Sequence, residues 1–373
     1  MDETKHNIKT IDLQSQHLKI KEEIDIAIQE VLRGAQFIKG PQVDQFQEHL
    51  EKYLNVHNVI PCGNGTDAIQ LALMALDLPK QSEVIIPTLN YVSGADICVL
   101  LGLKPVFVDV DPKSFNVTSK ETEKAITKNT KAIIVVHLYG QVAEMESIIE
   151  VAKANDLIVI EDTAQALGAS VKLNEAFKKA GTIGDIGTTS FYPTKNLGGM
   201  GDGGAVFTNN DILALKMRQI AFQGQTKKYQ YDIIGFNSRL DTIQAAILDV
   251  KLKYLDAYIQ TKQEVANFYD RALVNHSGIE IPFVHDKSTH TYHQYTIKVK
   301  NRGEMINRLD SASIPWSIYY PSPLHLEKAF SYLNYQEGDL QNAESLCKQI
   351  LSLPIHTELT EDQLEFVVEV LGD

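Results

Sequence analysis

Leu157-Ile158-Val159-Ile160-Glu161-Asp162-Thr163-Ala164-Gln165 sets four consecutive apolar side chains ahead of two carboxylates. An apolar run without alternation suits a strand buried on both faces of a parallel sheet. Val84-Ile85-Ile86, Val106-Phe107-Val108 and Ala132-Ile133-Ile134-Val135-Val136 are runs of the same kind, separated by segments of helical length. Together they predict α/β architecture with a mostly parallel sheet. Ligands gather at the carboxyl ends of strands in such sheets, so Asp162 stands where an acidic side chain meets a bound molecule. A carboxylate at a helix N-terminus is the equal alternative for Asp162 taken alone. Glu161, pointing the opposite way along the strand, reads as structural.

Working outward, Ile24, Ala27, Ile28, Val31 and Leu32 recur at helical spacing before Gly34, which predicts an amphipathic opening helix. Residues 66–76 are apolar almost all round, as in a central helix whose N-terminus sits deep. One long helical pattern runs through residues 240–273. Beyond it Tyr295, Ile297 and Val299 alternate with Thr296, Lys298 and Lys300, as in a half-solvated antiparallel strand. The 373 residues suggest two domains, a large one over 1–250 and a smaller α+β one over 251–373.

The composition is 44% hydrophobic and 22% charged, which excludes disordered and low-complexity classes. The net charge of −13 argues against binding nucleic acid or an anionic membrane with the whole surface, so an anionic ligand needs a local site. Cys62, Cys98 and Cys347 form no disulfide framework and read as small buried hydrophobes in a reducing compartment. Asp2, Glu3, Lys5, Lys9 and Asp12 interrupt the start of the chain, leaving no leader-like apolar stretch, and no membrane span is visible. The expected location is the cytoplasm.

Two further motifs carry chemistry. Gly63-Asn64-Gly65-Thr66, between a short strand and the central helix, can turn backbone amides inward to cup an anion, although a plain turn with a Thr N-cap fits as well. Ser190-Phe191-Tyr192-Pro193-Thr194-Lys195-Asn196 leads into a Gly-rich turn, where partial burial would lower the lysine pKa and free its amine to attack a carbonyl. Residues 199–204 also satisfy GxGxxG, but strand-like Ala205-Val206-Phe207-Thr208 follows instead of a helix, so the dinucleotide reading is rejected. His285, His290 and His293 lack the carboxylate or cysteine that would complete a metal set, and no metal is expected. His137 reads as a satisfied core histidine.

An anion cup, a carboxylate and a reactive lysine are what an enzyme of pyridoxal 5′-phosphate requires. The stretches GNGTDAIQLAL, EDTAQALGA, SFYPTKNLGGMGDGGAVFTN and GFNSRLDTIQAAIL resemble the DegT/DnrJ/EryC1/StrS family of nucleotide-sugar aminotransferases. That resemblance implies the type I, aspartate aminotransferase-like fold. It implies that Lys195 condenses with the cofactor aldehyde, that Asp162 pairs with the ring nitrogen and that Gln165 meets the ring hydroxyl. Gly65, Thr66 and Ser190 would hold the phosphate, with Asn237 reaching in from the second subunit of a homodimer that shares its active sites, and Tyr91 would stack on the cofactor.

L-Glutamate is the implied amino donor and a nucleotide-linked keto sugar the acceptor. Arg218, Lys227, Lys228 and Arg239 offer cations for its diphosphate, while Tyr320 and His325 face the sugar. The segment 224–229 and GFNSRLD look most like enzymes that aminate C3 of a UDP-linked 3-keto sugar, including 3-keto uronates. A dTDP-linked 3-keto-6-deoxyhexose, a 4-keto sugar, and a non-catalytic cofactor-binding sensor are the alternatives.

Overall fold

The computed structural model describes residues 7–372. Asp2, Glu3 and Lys5, used above to argue against a leader, lie outside the described residues. Its first strands are β1 (Asn58–Cys62), β2 (Glu83–Pro87), β3 (Lys104–Val108), β4 (Thr130–Val136) and β5 (Ile158–Asp162). A hairpin of β6 (Ser170–Leu173) and β7 (Ala176–Lys179) comes next, then β8 (Ile186–Ser190) and β9 (Gly204–Thr208). Seven of these make one sheet in the order β1-β9-β8-β5-β4-β2-β3. The neighbours from β8 to β3 are parallel, whereas β9 runs antiparallel to both β1 and β8. The mostly parallel sheet expected from the apolar runs is therefore present.

Period-two geometry explains how those runs bury both faces. Val84, Ile86, Ala132, Ile134 and Ile160 pack on one side with the helices Gly65–Ala75, Ser93–Leu100 and Asp211–Ala221. Ile85, Ile133, Val135 and Val159 pack on the other with Ile148 and Ala152 of Met145–Ala154. Beside β1 and β9, the helices Pro41–Leu54 and Thr242–Leu252 close over Val59, Ala205 and Phe207. Cys62, Cys98 and Cys347 are buried and free, and burial pushes the Cys98 and Cys347 thiols up to about 12. Among the described residues no helix is long and apolar enough to cross a membrane.

The amphipathic helix expected at the start spans Lys21–Gly34 and ends on Ala35 in the left-handed region, but it does not open the fold, because the shorter helix Leu13–Lys19 precedes it. The long pattern over 240–273 is two helices, Thr242–Leu252 and Leu255–Leu273, separated at Lys253 and Tyr254. Tyr254 and Lys253 both bond to Glu23 of the helix Lys21–Gly34 at this break. The second helix carries Leu255 and Ile259 in the core beside β1 and β9, and Val265, Tyr269 and Leu273 in a separate C-terminal core.

After the short hairpin of β10 (Gln225–Lys227) and β11 (Gln230–Tyr231), the C-terminal core is built on an antiparallel sheet. It comprises β12 (Ile279–Glu280), β13 (Tyr295–Val299) and β14 (Ile350–Leu353). The expectation of a half-solvated β13 holds only in part: Lys298 is partly exposed and Lys300 exposed, whereas Thr296 is buried, bonded to Ser352 of the neighbouring strand β14. Lys298 also reaches Pro112 O at 3.0 Å.

One buried pair anchors the end of β5. Glu161 is fully buried and accepts hydrogen bonds from the amides of Gly181, Ile183 and Gly184 at 2.6–2.8 Å. Nδ1 of His137 accepts from Ala143 N–H, so Nε2 carries the proton it donates to Glu161 at 2.8 Å. Glu161→Ala strips an acceptor from four buried donors and should cost about 3–5 kcal/mol in urea unfolding; a loss below about 1 kcal/mol would contradict this account.

Candidate active site

The alternation that sends Glu161 into the protein sends Asp162 out at the carboxyl end of β5. Its Oδ1 accepts from Ala164 N–H at 2.9 Å, and its carbonyl accepts from His137 N–H at 3.1 Å. Burial raises the Asp162 pKa, opposed by the Ala164 amide and by the charge of Lys195. Burial lowers the Lys195 pKa, opposed by Asp162. Each group is drawn toward its neutral form by desolvation and back toward charge by the other.

Lys195 lies in a tied loop. Its amide donates to Tyr192 O at 2.8 Å, and Phe191 N–H and Gly199 N–H close the loop's two sides on Gly203 O and Phe191 O. Gly198 is obligatory, since a Cβ there would fall 2.2 Å from Pro193 O. Lys251, from the helix Thr242–Leu252, donates to Gly198 O at 2.6 Å.

The anion cup also takes shape. Asn64, not Thr66, caps the helix Gly65–Ala75 by accepting from Asp67 N–H. That leaves the Gly65 and Thr66 amides at the helix start with no acceptor among the described residues. A Cβ on Gly65 would lie 2.7 Å from Ser190 Cβ, so the helix end meets β8 only because residue 65 is glycine. Free amides, a serine hydroxyl and a helix N-terminus suit a phosphate, and Asp162 and Lys195 suit a pyridine nitrogen and an aldehyde; the residues present fit pyridoxal phosphate.

Gln165 joins the group. Its Oε1 accepts from Tyr139 N–H at 2.7 Å and its Nε2 donates to the Tyr320 hydroxyl at 3.3 Å. Tyr91, 59% exposed, lies 6.3 Å from the Tyr320 ring between centroids. Burial and the nearby Asp162 raise the Tyr320 pKa. Asp162, Gln165, Lys195, Tyr91 and Tyr320 thus form one linked site beside the Gly65, Thr66 and Ser190 cup.

The chain belongs to the DegT/DnrJ/EryC1/StrS aminotransferase family, whose model matches residues 18–372. It is 43% identical to a pleiotropic regulatory protein of Geobacillus stearothermophilus over 98% of each chain. To a UDP-2-acetamido-2-deoxy-3-oxo-D-glucuronate aminotransferase of Pseudomonas aeruginosa it is 41% identical, over 98% of this chain and 99% of that one. The crystal structure of a DegT DnrJ EryC1 StrS aminotransferase from Brucella abortus superposes with a TM-score of 0.93 at 37% identity, covering 98% of both chains. As a DegT/DnrJ/EryC1/StrS member the chain is an aminotransferase, and its cofactor is pyridoxal 5′-phosphate.

Other candidate residues stand apart from this aminotransferase site. His325 does not face a sugar: it is 2% exposed, with Nδ1 on Thr88 Oγ1 at 2.8 Å and Nε2 on Glu344 at 3.1 Å, so both ring nitrogens are committed inside the protein. Arg218 donates to Gln47 at 3.0 Å rather than standing free for a diphosphate. Arg239 and Lys39 both lie over the Phe222 ring. Asn237 is exposed, while Ser238 ties this segment to Asp67 and to Gly63 N–H. Lys227 and Lys228 are exposed on the β10–β11 side.

Sequence reasoning missed Lys262, Asn196 and the placement of His293. Lys262 donates to Asn196 Oδ1 at 2.8 Å, while His293, buried with Nδ1 unpartnered, has its pKa lowered first by burial and then by the charges of Lys195 and Lys262. The run Thr261-Lys262-Gln263-Glu264 looks like a solvated helix face, and only the tertiary fold shows otherwise. His325→Ala should lower stability by about 2–4 kcal/mol in urea while leaving the sugar KM within about twofold; a tenfold rise in KM at unchanged stability would return His325 to the site.

Proposed function

We propose that the protein transfers an amino group from L-glutamate to C3 of a UDP-linked 3-keto sugar, with a 2-acetamido-3-keto-glucuronate as the best candidate. The observation that carries amino transfer is the lysine amine and carboxylate facing each other at Lys195 and Asp162. The C3 and UDP assignment is supported by the Pseudomonas relative at 41% identity over nearly the whole chain.

Bound pyridoxal phosphate supplies an electron-withdrawing ring that makes the carbon attached to the substrate nitrogen acidic. Lys195 would hold the cofactor through its aldehyde. Once the amino donor took its place there, the same amine would serve as the base that removes the proton from that carbon and the acid that delivers it across the shared nitrogen. Its lowered pKa leaves it neutral, and so able to act as base, at lower pH than an ordinary lysine. Asp162 would keep the ring nitrogen protonated through a charge-assisted hydrogen bond. Gln165, fixed by Tyr139 N–H and Tyr320, would orient the ring hydroxyl, and Tyr91 would cover the ring face.

Gly65, Thr66 and Ser190 would hold the phosphate. We place the exposed Asn237 beside that phosphate across a homodimer interface, so that two subunits complete each site, and assign Arg239 and Tyr320 to the sugar nucleotide. The C-terminal sheet and its helices form a smaller domain whose boundary with the larger one lies near residue 250.

Incubation with L-glutamate should convert the cofactor to its amino form and release 2-oxoglutarate, and a UDP-linked 3-keto sugar should reverse the change faster than dTDP or 4-keto analogues. Release of no keto acid from any amino donor would instead favour a non-catalytic sensor. Asp162→Asn should lower kcat by about a thousandfold or more with cofactor still bound; a loss below tenfold would remove Asp162 from its role. Cofactor capture by Lys195 should fall as pH drops through a midpoint below that of a free lysine, because the protonated amine cannot attack; a midpoint at or above 10.5 would contradict the lowered value.

A further inference from the structure

Tyr139 is a buried tyrosine in the left-handed region, with φ at 59°, in the turn Leu138–Gly140 that follows β4. That conformation is costly for a bulky side chain, and here it lets one residue reach the site twice. Its N–H donates to Gln165 Oε1 at 2.7 Å, and its hydroxyl donates to the Tyr319 carbonyl. A backbone N–H can only donate, so the carbonyl end of the Gln165 amide must face Tyr139 and its Nε2 must turn to the Tyr320 hydroxyl, at 3.3 Å. Tyr139, Gln165, Tyr320 and the Tyr319 carbonyl thus form a closed ring of contacts, and Tyr139 holds both ends of it.

The turn itself is firmly seated. A Cβ on Gly140 would lie 2.4 Å from Thr291 Oγ1, so only glycine lets the turn approach Thr291 this closely. Thr291 donates its N–H to Gly140 O at 2.9 Å and its hydroxyl to Gln165 O at 3.2 Å. The Tyr139 ring rests against Phe115 at 5.4 Å between centroids, edge to face. The segment carrying Tyr319 and Tyr320 is held less well. Among the described residues the Tyr319 carbonyl has no donor besides Tyr139, and the Tyr320 hydroxyl has no hydrogen-bond partner besides Gln165.

We infer that Tyr139 is a positioning residue for the keto-sugar half of the reaction: by holding the Tyr319 carbonyl, its hydroxyl sets the Tyr320 phenol where it meets the sugar nucleotide. This rests on the reading that Tyr320 faces that substrate, and it names the group that places it. The amino-donor half relies on Lys195, Asp162 and Gln165. Of these only Gln165 touches Tyr139, and it does so through the backbone N–H, which survives removal of the hydroxyl. The two halves of the reaction should therefore respond differently to the loss of one oxygen atom.

The test compares wild-type holoenzyme with Tyr139→Phe, Tyr320→Phe and the double variant. Tyr139→Phe keeps the ring on Phe115 and the amide on Gln165, and its thermal midpoint is the control for folding. It should raise the KM for a UDP-linked 3-keto sugar about tenfold while leaving the L-glutamate half-reaction within about twofold. Calorimetry on the aminated holoenzyme, with a UDP-linked sugar that lacks the keto group, should show the same loss of affinity without turnover. Because Tyr139 acts through Tyr320, the double variant should lie within about twofold of Tyr320→Phe alone. A sugar KM and affinity within about twofold of wild type, equal losses in both half-reactions, or a double variant about tenfold worse than Tyr320→Phe would overturn the inference. Failure of the Tyr320 assignment itself is distinguishable, since Tyr320→Phe would then match wild type in sugar KM.

Discussion

A lysine amine and a carboxylate share a desolvated space at the carboxyl end of the central sheet, and the surrounding structure serves to hold that balance. Burial alone would neutralise both groups, while their mutual attraction favours charge on both. A balance of this kind is sensitive to small displacements, which explains the density of ties around it. The loop bearing Lys195 is closed by its own backbone, pinned by Lys251 from one helix and Lys262 from the next, and approached by a glycine-only contact between the helix Gly65–Ala75 and Ser190.

Strand β5 links stability to chemistry through nothing more than the pleat. Glu161 turns inward to gather three amides and the His137 imidazole. Asp162, one residue later, emerges beside Lys195. His137 spans both roles, since its side chain anchors Glu161 while its backbone amide binds the carbonyl of Asp162. Rigidity in the buried residue is thereby passed to the functional one through the His137 backbone and the strand itself.

Much of this was legible in the chain. Apolar runs at 84–86, 106–108, 132–136 and 157–160 are strands because only a sheet covered on both sides can bury consecutive residues, and that reading needs no tertiary information. Asp162 and Lys195 stood out because their neighbours carry strong local signals, a strand end and a Gly-rich turn, whereas Gln165 was singled out only by the family resemblance. His325 misled because a histidine in a Pro-rich segment looks available, whereas Thr88 and Glu344, the partners that commit it, are distant in sequence or belong to another helix. Thr296 misled for a related reason, since alternation assigns it to the outer face but cannot show that it is buried there against Ser352 of β14. Lys262 was invisible because its environment is made by loops some 30 to 70 residues away.

The account stands on the covalent partner of the cofactor. Borohydride reduction of the holoenzyme, followed by peptide mapping by mass spectrometry, should place a reduced pyridoxyl group on Lys195 alone. A label on another lysine, Lys262 or Lys251 included, or no label in a protein that turns over, would contradict it.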